Sequence, residues 1–325
     1  MKIAIYGAGA IGGYLGALLA QSGASVSLIA RGPHLAAIKQ NGLTLRMNDE
    51  TIVTYPAATD NPAELGEQDY VIVALKAHSV PNVVEQMQPL LGQDTAVVTA
   101  VNGVPWWYFY GLEGPWKDHR IQAVDPGGKQ WEGIGPERAI GCVVYPACEI
   151  AEPGVVEHIS GNRFTLGEPN DEKTERVKAL SKALVNAGLK SPIRNIRDSI
   201  WVKLWGNLSF NPLSSLTHAT LDVVATDPGT RSVAKNMMLE AQAIGEKLGV
   251  KFGVDVEKRM DGAAAVGAHT TSMLQDLQLG RPMEIDALLT AVQELGCITQ
   301  TPTPTIDTVL PIIQQRAKIA GCYGG

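Results

Sequence analysis

The sequence is short of the patterns that mark several large classes of protein. Its four cysteines, Cys142, Cys148, Cys297 and Cys322, form no C-x-x-C pair. Neither a zinc site nor a disulfide framework is signalled, no metal is expected, and a reducing cytoplasm fits best. No cluster of Lys and Arg exceeds two residues, and the net charge is −6, which argues against nucleic acid as a partner. No internal repeat or low-complexity tract is present. One apolar run, IAIYGAGAIGGYLGALLA at residues 3–20, follows Lys2 as a signal peptide or membrane span would. Its glycines, Gly7, Gly9, Gly12, Gly13 and Gly16, suit a lone spanning helix poorly, so neither a targeting segment nor a membrane is expected. What remains is an ordinary soluble composition, 45% hydrophobic and 18% charged, in a chain of 325 residues that is long enough for two domains.

The same glycines have a better explanation. KIAIY reads as a buried strand, GAGAIGG as a turn, and YLGALLAQSG as a helix that Gly23 ends. This is G-x-G-x-x-G between a strand and a helix, the context in which it binds a dinucleotide. Gly7 permits the tight turn, Gly9 lets the backbone approach a pyrophosphate, and Gly12 lets helix and strand pack closely. The N–H groups of the Gly7-Ala8-Gly9-Ala10-Ile11-Gly12 turn then face the phosphates. The next strand, SVSLIAR, lacks the acidic residue that would hold a ribose 2′-hydroxyl. Arg31 stands there instead, 19 residues after Gly12. A guanidinium suits a 2′-phosphate, which points to NADPH.

Two further apolar runs end in polar residues, YVIVALKAH in Lys76 and AVVTAVNGV in Asn102-Gly103. Open α/β sheets bind ligands at such strand ends, so both residues are candidates for cofactor or substrate contact. From 104 to 140 the chain is irregular and rich in Gly, Pro and Trp. Part of it is expected to cover the site. AIGCVVYPACEI, VVEHIS and RFTLGE read as antiparallel strands extending the sheet, and EKTERVKALSKALVNAG as a surface helix. The fold class is therefore α/β: a Rossmann-type dinucleotide-binding domain over residues 1–194, followed by an all-helical domain over 195–325. Helices are expected at 197–211, 228–248, 254–277, 282–295 and 304–320. Substrate is expected in the cleft between the domains.

The helix WVKLWGNLSFNP carries Lys203, Asn207 and Asn211 at intervals of four. They share one face within an arc of about 80° and rise about 6 Å per step. Trp201, Leu204, Trp205 and Leu208 would bury most of the helix, leaving Lys203 beside the core, where an unpaired ammonium is costly. Desolvation lowers the pKa of such a lysine and makes it a better proton donor. Pro212 is expected to end or kink the helix. Downstream, TSMLQDLQLGRPMEIDALL places Pro282 at a helix start and Glu284 near its third position, where the helix dipole favours a carboxylate. Lysine and glutamate could then serve each other. The alternative is a snorkelling lysine with two solvated amides.

Taken in order, GAGAIG, Arg31, Lys76, the Asn-Gly pair at 102–103, KLWGNLSFNPLSSLT and SMLQDLQLGRPMEID resemble the ketopantoate reductase family over essentially the whole chain. The resemblance implies NADPH-dependent reduction of 2-dehydropantoate to (R)-pantoate in pantothenate biosynthesis. It implies Lys203 as general acid, with Glu284 near both the lysine and the nicotinamide ribose. It implies substrate contacts from Asn207, Asn211 and Ser272, with Asn102 at substrate and cofactor, and cofactor contacts from Gly7 to Gly12, Arg31 and Lys76. The partner is then a small 2-oxo acid, and a homodimer is compatible with the sequence.

Three features depart from the family pattern. THATLDVVATDPG offers no asparagine after the lysine helix, His269 stands just upstream of the serine motif, and the 104–140 segment is long and rich in tryptophan. They leave open a bulkier or aromatic acid on the same scaffold. A non-catalytic NADPH sensor is a further alternative, though it would need only the first half of the chain.

Overall fold

Apolar runs bounded by glycine turns make the parallel sheet of the first half. In the computed structural model, which describes residues 1–324, these strands are β1 (Lys2–Tyr6), β2 (Ser25–Ile29), β5 (Ala57–Thr59), β6 (Gln68–Val73), β7 (Leu91–Thr99) and β8 (Ala139–Val144). Strand β11 (Phe164–Gly167) pairs antiparallel with β8 and closes one edge. The order is β11-β8-β7-β6-β1-β2-β5. Helix α1 (Ala10–Gln21) follows β1 and α2 (Gly32–Asn41) follows β2. Shorter helices α3 (Val84–Met87) and α4 (Lys129–Ile134), and the longer α5 (Glu175–Asn186), complete this half.

One expectation is corrected here. Of the four late strands, only β8 and β11 extend the main sheet. Strands β9 (Ala147–Glu152) and β10 (Val155–Ser160) leave it and join β3 (Leu43–Met47) and β4 (Glu50–Thr54) in a second sheet, ordered β4-β3-β10-β9. The physical reason lies on α1, which is apolar on nearly every side and buries Tyr14, Leu15, Leu18 and Leu19. One sheet covers only one side of such a helix. A Cβ added to Gly16 would come within 2.7 Å of Leu28 in β2, and one on Gly13 within 2.7 Å of Val156 in β10. The glycines bring both sheets close to the helix.

The irregular segment after β7 packs its aromatic run inward. Trp107, Tyr108 and Phe109 are fully buried and Trp106 nearly so. Trp107 Nε1 donates to Thr99 Oγ1 on β7 at 3.0 Å, and Trp131 of α4 meets Trp106 edge-on. Burial of these rings, each among the largest apolar surfaces a residue can supply, accounts for the tryptophan content.

The chain divides into two units. The first comprises Met1–Val101, Pro105–Arg120 and Asp125–Ile196; the second comprises Asn102–Val104, Ile121–Val124 and the chain from Arg197 onward. Apart from the two inserted segments, the second unit is helical: α6 (Ile196–Thr217), α7 (Leu221–Thr226), α8 (Pro228–Lys247), α9 (Val256–Ala264), α10 (Ser272–Gln278), α11 (Ala291–Ile298) and α12 (Pro304–Ile319). Pro212 does not end α6, which continues to Thr217. Phe210, Leu213, Ser214 and Ser215 are all buried, and packing around that turn outweighs the missing backbone bond. The expected helix over 254–277 is two helices, broken between Ala264 and Ser272, with Thr271 capping the second through Leu274 N. Asp227, the cap of α8, breaks the chain after α7, a short helix for which no separate element was expected.

Candidate active site

The glycine-rich turn has the geometry its sequence demands. Gly7 adopts φ +98°, open to glycine and strained for other residues. Its N–H and that of Ala8 donate to the Ile29 carbonyl at 3.1 and 3.0 Å, fixing the turn to β2. A Cβ on Gly12 would overlap the Gly7 carbonyl, so close helix–strand packing accounts for that glycine. Gly9 is different: a Cβ there would meet nothing within 4 Å. Packing does not require a glycine at this position, whereas close approach of a ligand does. Gly9 also caps α1 without a side chain, so the N–H groups of Ala10, Ile11 and Gly12 lack both an intrahelical acceptor and a side-chain cap. These features fit a dinucleotide pyrophosphate.

Arg31 lies two residues past β2, exposed, at the cap of α2. Its charge is close enough to hold the Tyr6 phenol back from the full rise that burial imposes. Lys76 does not lie in strand β6; it sits three residues beyond, heading the 3-10 turn Ala77–Asn82. One residue of this region escaped sequence reasoning. His34 Nε2 lies 2.7 Å from the Ala8 carbonyl, and its Nδ1 accepts from Gly154 N at 3.0 Å. The imidazole is thus neutral, protonated on Nε2, and ties the glycine turn to the β9–β10 hairpin. Burial lowers its pKa, opposed by the Ala8 bond. A lone histidine has no spacing to announce it.

In the second unit, three of the candidate residues form one hydrogen-bonded set. Lys203 Nζ donates to Asn102 Oδ1 at 2.6 Å, and Asn102 Nδ2 donates to Glu284 Oε2 at 3.4 Å. The Asn102 amide links the lysine to the glutamate, accepting from the cation and donating to the carboxylate. Local backbone explains how a loop residue reaches this place. Val104 N donates to the Ala287 carbonyl at 3.0 Å. Gly103, at φ +92°, lies so close that a Cβ would collide with the Ala287 backbone. The Asn-Gly pair thus places its amide by docking its neighbour on a helix turn.

That turn also differs from expectation. Helical backbone begins at Ile285, not Pro282, and its first stretch, Asp286–Thr290, is π-wound before α11. Glu284 therefore stands just before the helix rather than at its third position, and is 8% exposed. Arg281 is the reason for the delay: its backbone N bonds the Asp276 carbonyl at 2.8 Å, and its Nε lies 3.2 Å from Asp276 Oδ1. The pair ties residues 276–281 into a turn that Pro282 does not start. These two residues account for the Asp and Arg of QDLQLGR, whose role the sequence alone left unread.

Asn207 and Asn211 lie one and two turns beyond Lys203 on α6. Asn207 is partly exposed; Asn211 is 5% exposed, and its Nδ2 has no hydrogen-bond partner among the described residues. A buried unpaired amide is costly in a folded protein, and a catalytic or binding role is one of the explanations such a group calls for. Ser272 is exposed at the start of α10. His269 is exposed, and its carbonyl accepts from Leu221 N at 2.8 Å.

The family model described as "Ketopantoate reductase PanE/ApbA" matches residues 3–171, and its C-terminal counterpart matches residues 195–317. The chain belongs to the ketopantoate reductase family. A 2-dehydropantoate 2-reductase of Mesorhizobium japonicum is 57% identical over 325 residues, 99% of this chain and 100% of that protein. The crystal structure of a protein assigned as a ketopantoate reductase from Ralstonia solanacearum MolK2 superposes with a TM-score of 0.95 at 41% identity, covering 99% of each chain. A D-mandelate dehydrogenase, solved with NADH and anilino(oxo)acetate, shares the fold at a TM-score of 0.82 and 23% identity, covering 99% of this chain and all of its own. The family's architecture, a Rossmann-type α/β domain followed by a helical one, is that of this chain.

Proposed function

We propose that this protein reduces 2-dehydropantoate to (R)-pantoate with NADPH. The observation that carries the reading is the hydrogen-bonded set Lys203, Asn102 and Glu284, in a chain 57% identical to a reductase of that name. The first unit holds the nucleotide. The glycine turn takes the pyrophosphate, Arg31 the 2′-phosphate, and Lys76 adds a cation beyond β6. NADPH, when bound, supplies the hydride.

The chemistry of this chain lies in the second unit. As the keto carbon is reduced, negative charge grows on the carbonyl oxygen. The Lys203 ammonium stabilises that charge and transfers a proton from Nζ to the oxygen, completing the hydroxyl. Asn102 fixes the ammonium through Oδ1 and is itself fixed by Glu284. Asn207, Asn211 and Ser272 bind the polar groups of the acid, and the unpaired Asn211 Nδ2 gains the acceptor it lacks.

The readings with other acids lose one support. The tryptophan-rich stretch suggested a bulkier pocket, yet its rings Trp106 and Trp107 belong to the core of the first unit. A non-catalytic NADPH sensor would have no need of the Lys203 set. Cytoplasmic residence and assembly as a homodimer belong to the same proposal. Residence is supported by four free cysteines and, among the described residues, by the lack of any helix long and apolar enough to cross a membrane. NADPH oxidation measured with a panel of 2-oxo acids tests the function. Preferred turnover of 2-dehydropantoate is expected; faster turnover of an aromatic 2-oxo acid, or none of any, would overturn the assignment.

A further inference from the structure

The turn that carries Glu284 is held from behind by the segment following α12. After Ile319 the chain folds back, with Cys322 N donating to the Ala317 carbonyl at 2.8 Å. The Cys322 carbonyl then accepts from Met283 N at 2.9 Å. Tyr323 OH donates to Asp286 Oδ1 at 2.7 Å and accepts from Gln314 Nε2 at 3.0 Å. Thr290 Oγ1 adds a second bond to the same carboxylate oxygen at 2.8 Å. Two consecutive residues, Cys322 and Tyr323, thus grip the chain on either side of Glu284, at Met283 and at Asp286.

The grip matters because of what else depends on this turn. Ala287, next to Asp286, is where Val104 docks and Gly103 makes its close approach. Asn102 adjoins that docking, and Lys203 Nζ donates to Asn102. Asp286–Thr290 is π-wound, a winding that is rarely favoured by itself and that persists where neighbours impose it. From these contacts we infer that Tyr323, through Asp286, is a positioning residue for catalysis: it sets the turn that aligns Glu284, Asn102 and, through them, the Lys203 ammonium. Burial, with the Asp286 bond added, pushes the Tyr323 phenol up to about 12, so it remains a donor throughout the working range. The inference rests on the reductase reading for its kinetic consequence, and on the contacts alone for its structural one.

Both parts are testable in the full-length protein. Tyr323→Phe removes one hydroxyl and leaves the ring. The kcat for 2-oxo acid reduction should fall by about tenfold or more, the scale expected when a reacting group moves by a fraction of an ångström. KM for NADPH should stay as in the wild type. Asp286→Ala should match it, the double variant should be no slower than either single one, and Asp286→Asn, which keeps an acceptor, should recover most of the rate. A folded Tyr323→Phe protein with wild-type kcat, or an Asp286→Asn protein as slow as Asp286→Ala, would overturn the inference. Amide hydrogen exchange supplies a readout independent of turnover: the peptide spanning 283–290 and the 102–104 segment should exchange faster in Tyr323→Phe. Unchanged exchange there would overturn the inference as well. If the wild type reduced no 2-oxo acid, the proposed function would fall, while exchange would still decide whether Tyr323 holds the turn.

Discussion

Asn102 accepts a hydrogen bond from Lys203 Nζ at 2.6 Å, although 101 residues separate them in sequence. A neutral amide oxygen can orient an ammonium without adding a counter-charge of its own. Replacing Lys203 by Ala should cut turnover by about 10²-fold or more, in line with general-acid contributions. Asn102→Ala should cost less, because the lysine remains. Single-turnover rates at saturating NADPH distinguish the two, and a folded Lys203→Ala protein with near-normal turnover would rule out the mechanism.

Cofactor choice should follow Arg31. The wild type should favour NADPH over NADH by at least about tenfold, roughly 1.4 kcal/mol. Arg31→Ala should abolish most of that preference while hardly affecting NADH. Dissociation constants from fluorescence titration give the answer, and equal affinities in the wild type would remove the role assigned to this guanidinium.

Asn211 should set stability against function. Its buried Nδ2 lacks a partner among the described residues, which costs on the order of 1–3 kcal/mol. Asn211→Leu, close in volume, should therefore stabilise the ligand-free protein in chemical denaturation, by about 1 kcal/mol or more. It should also raise the KM for the acid while sparing NADPH affinity. A variant destabilised in the absence of ligand would show that the amide is structural.

His34 should make stability depend on pH. Its folded-state pKa lies below the ordinary histidine value of 6.5, chiefly through burial. The neutral ring is what the fold requires, because Nδ1 accepts from Gly154 N. Its contribution is fully present above pH 6.5 and is lost as pH falls from there through the lower folded-state value. Denaturation midpoints compared at pH 7.5 and pH 5 should show a loss on acidification that shrinks in His34→Ala. An identical pH dependence in the two proteins would mean that other groups dominate.

Gly103→Ala combines a left-handed φ of +92° with a collision against the Ala287 backbone. It should destabilise the fold by about 2 kcal/mol or more and should lower kcat beyond what stability explains, since Asn102 moves with it. Turnover measured well below the unfolding transition separates the two effects.

The sequence made the strand–turn–helix at residues 3–20 readable because each glycine there answers a local steric demand. It made Lys203, Asn207 and Asn211 readable because polar groups at helical spacing stand out on an apolar face. What it hid depends on distant pieces of chain. Nothing local in VVEHIS tells that β10 pairs with β3 rather than joining the main sheet. The π-wound start of the Glu284 helix is held by Tyr323, 37 residues on from Asp286. The run of aromatics at 106–109 was legible as ordered, yet its burial was decided by β7 and α4, not by its own pattern.

The membership of Asn102–Val104 in the second unit has a consequence for how the protein comes into being. During synthesis Asn102 leaves the ribosome long before Lys203, and Glu284, 182 residues later, comes last of the three. The first sheet can assemble while the future partners of Asn102 are still untranslated, so this short piece of chain must wait, passed over by its own neighbours. The hydrogen-bonded set of Lys203, Asn102 and Glu284 can therefore close only after Glu284 has been made, well after the strands of the first sheet.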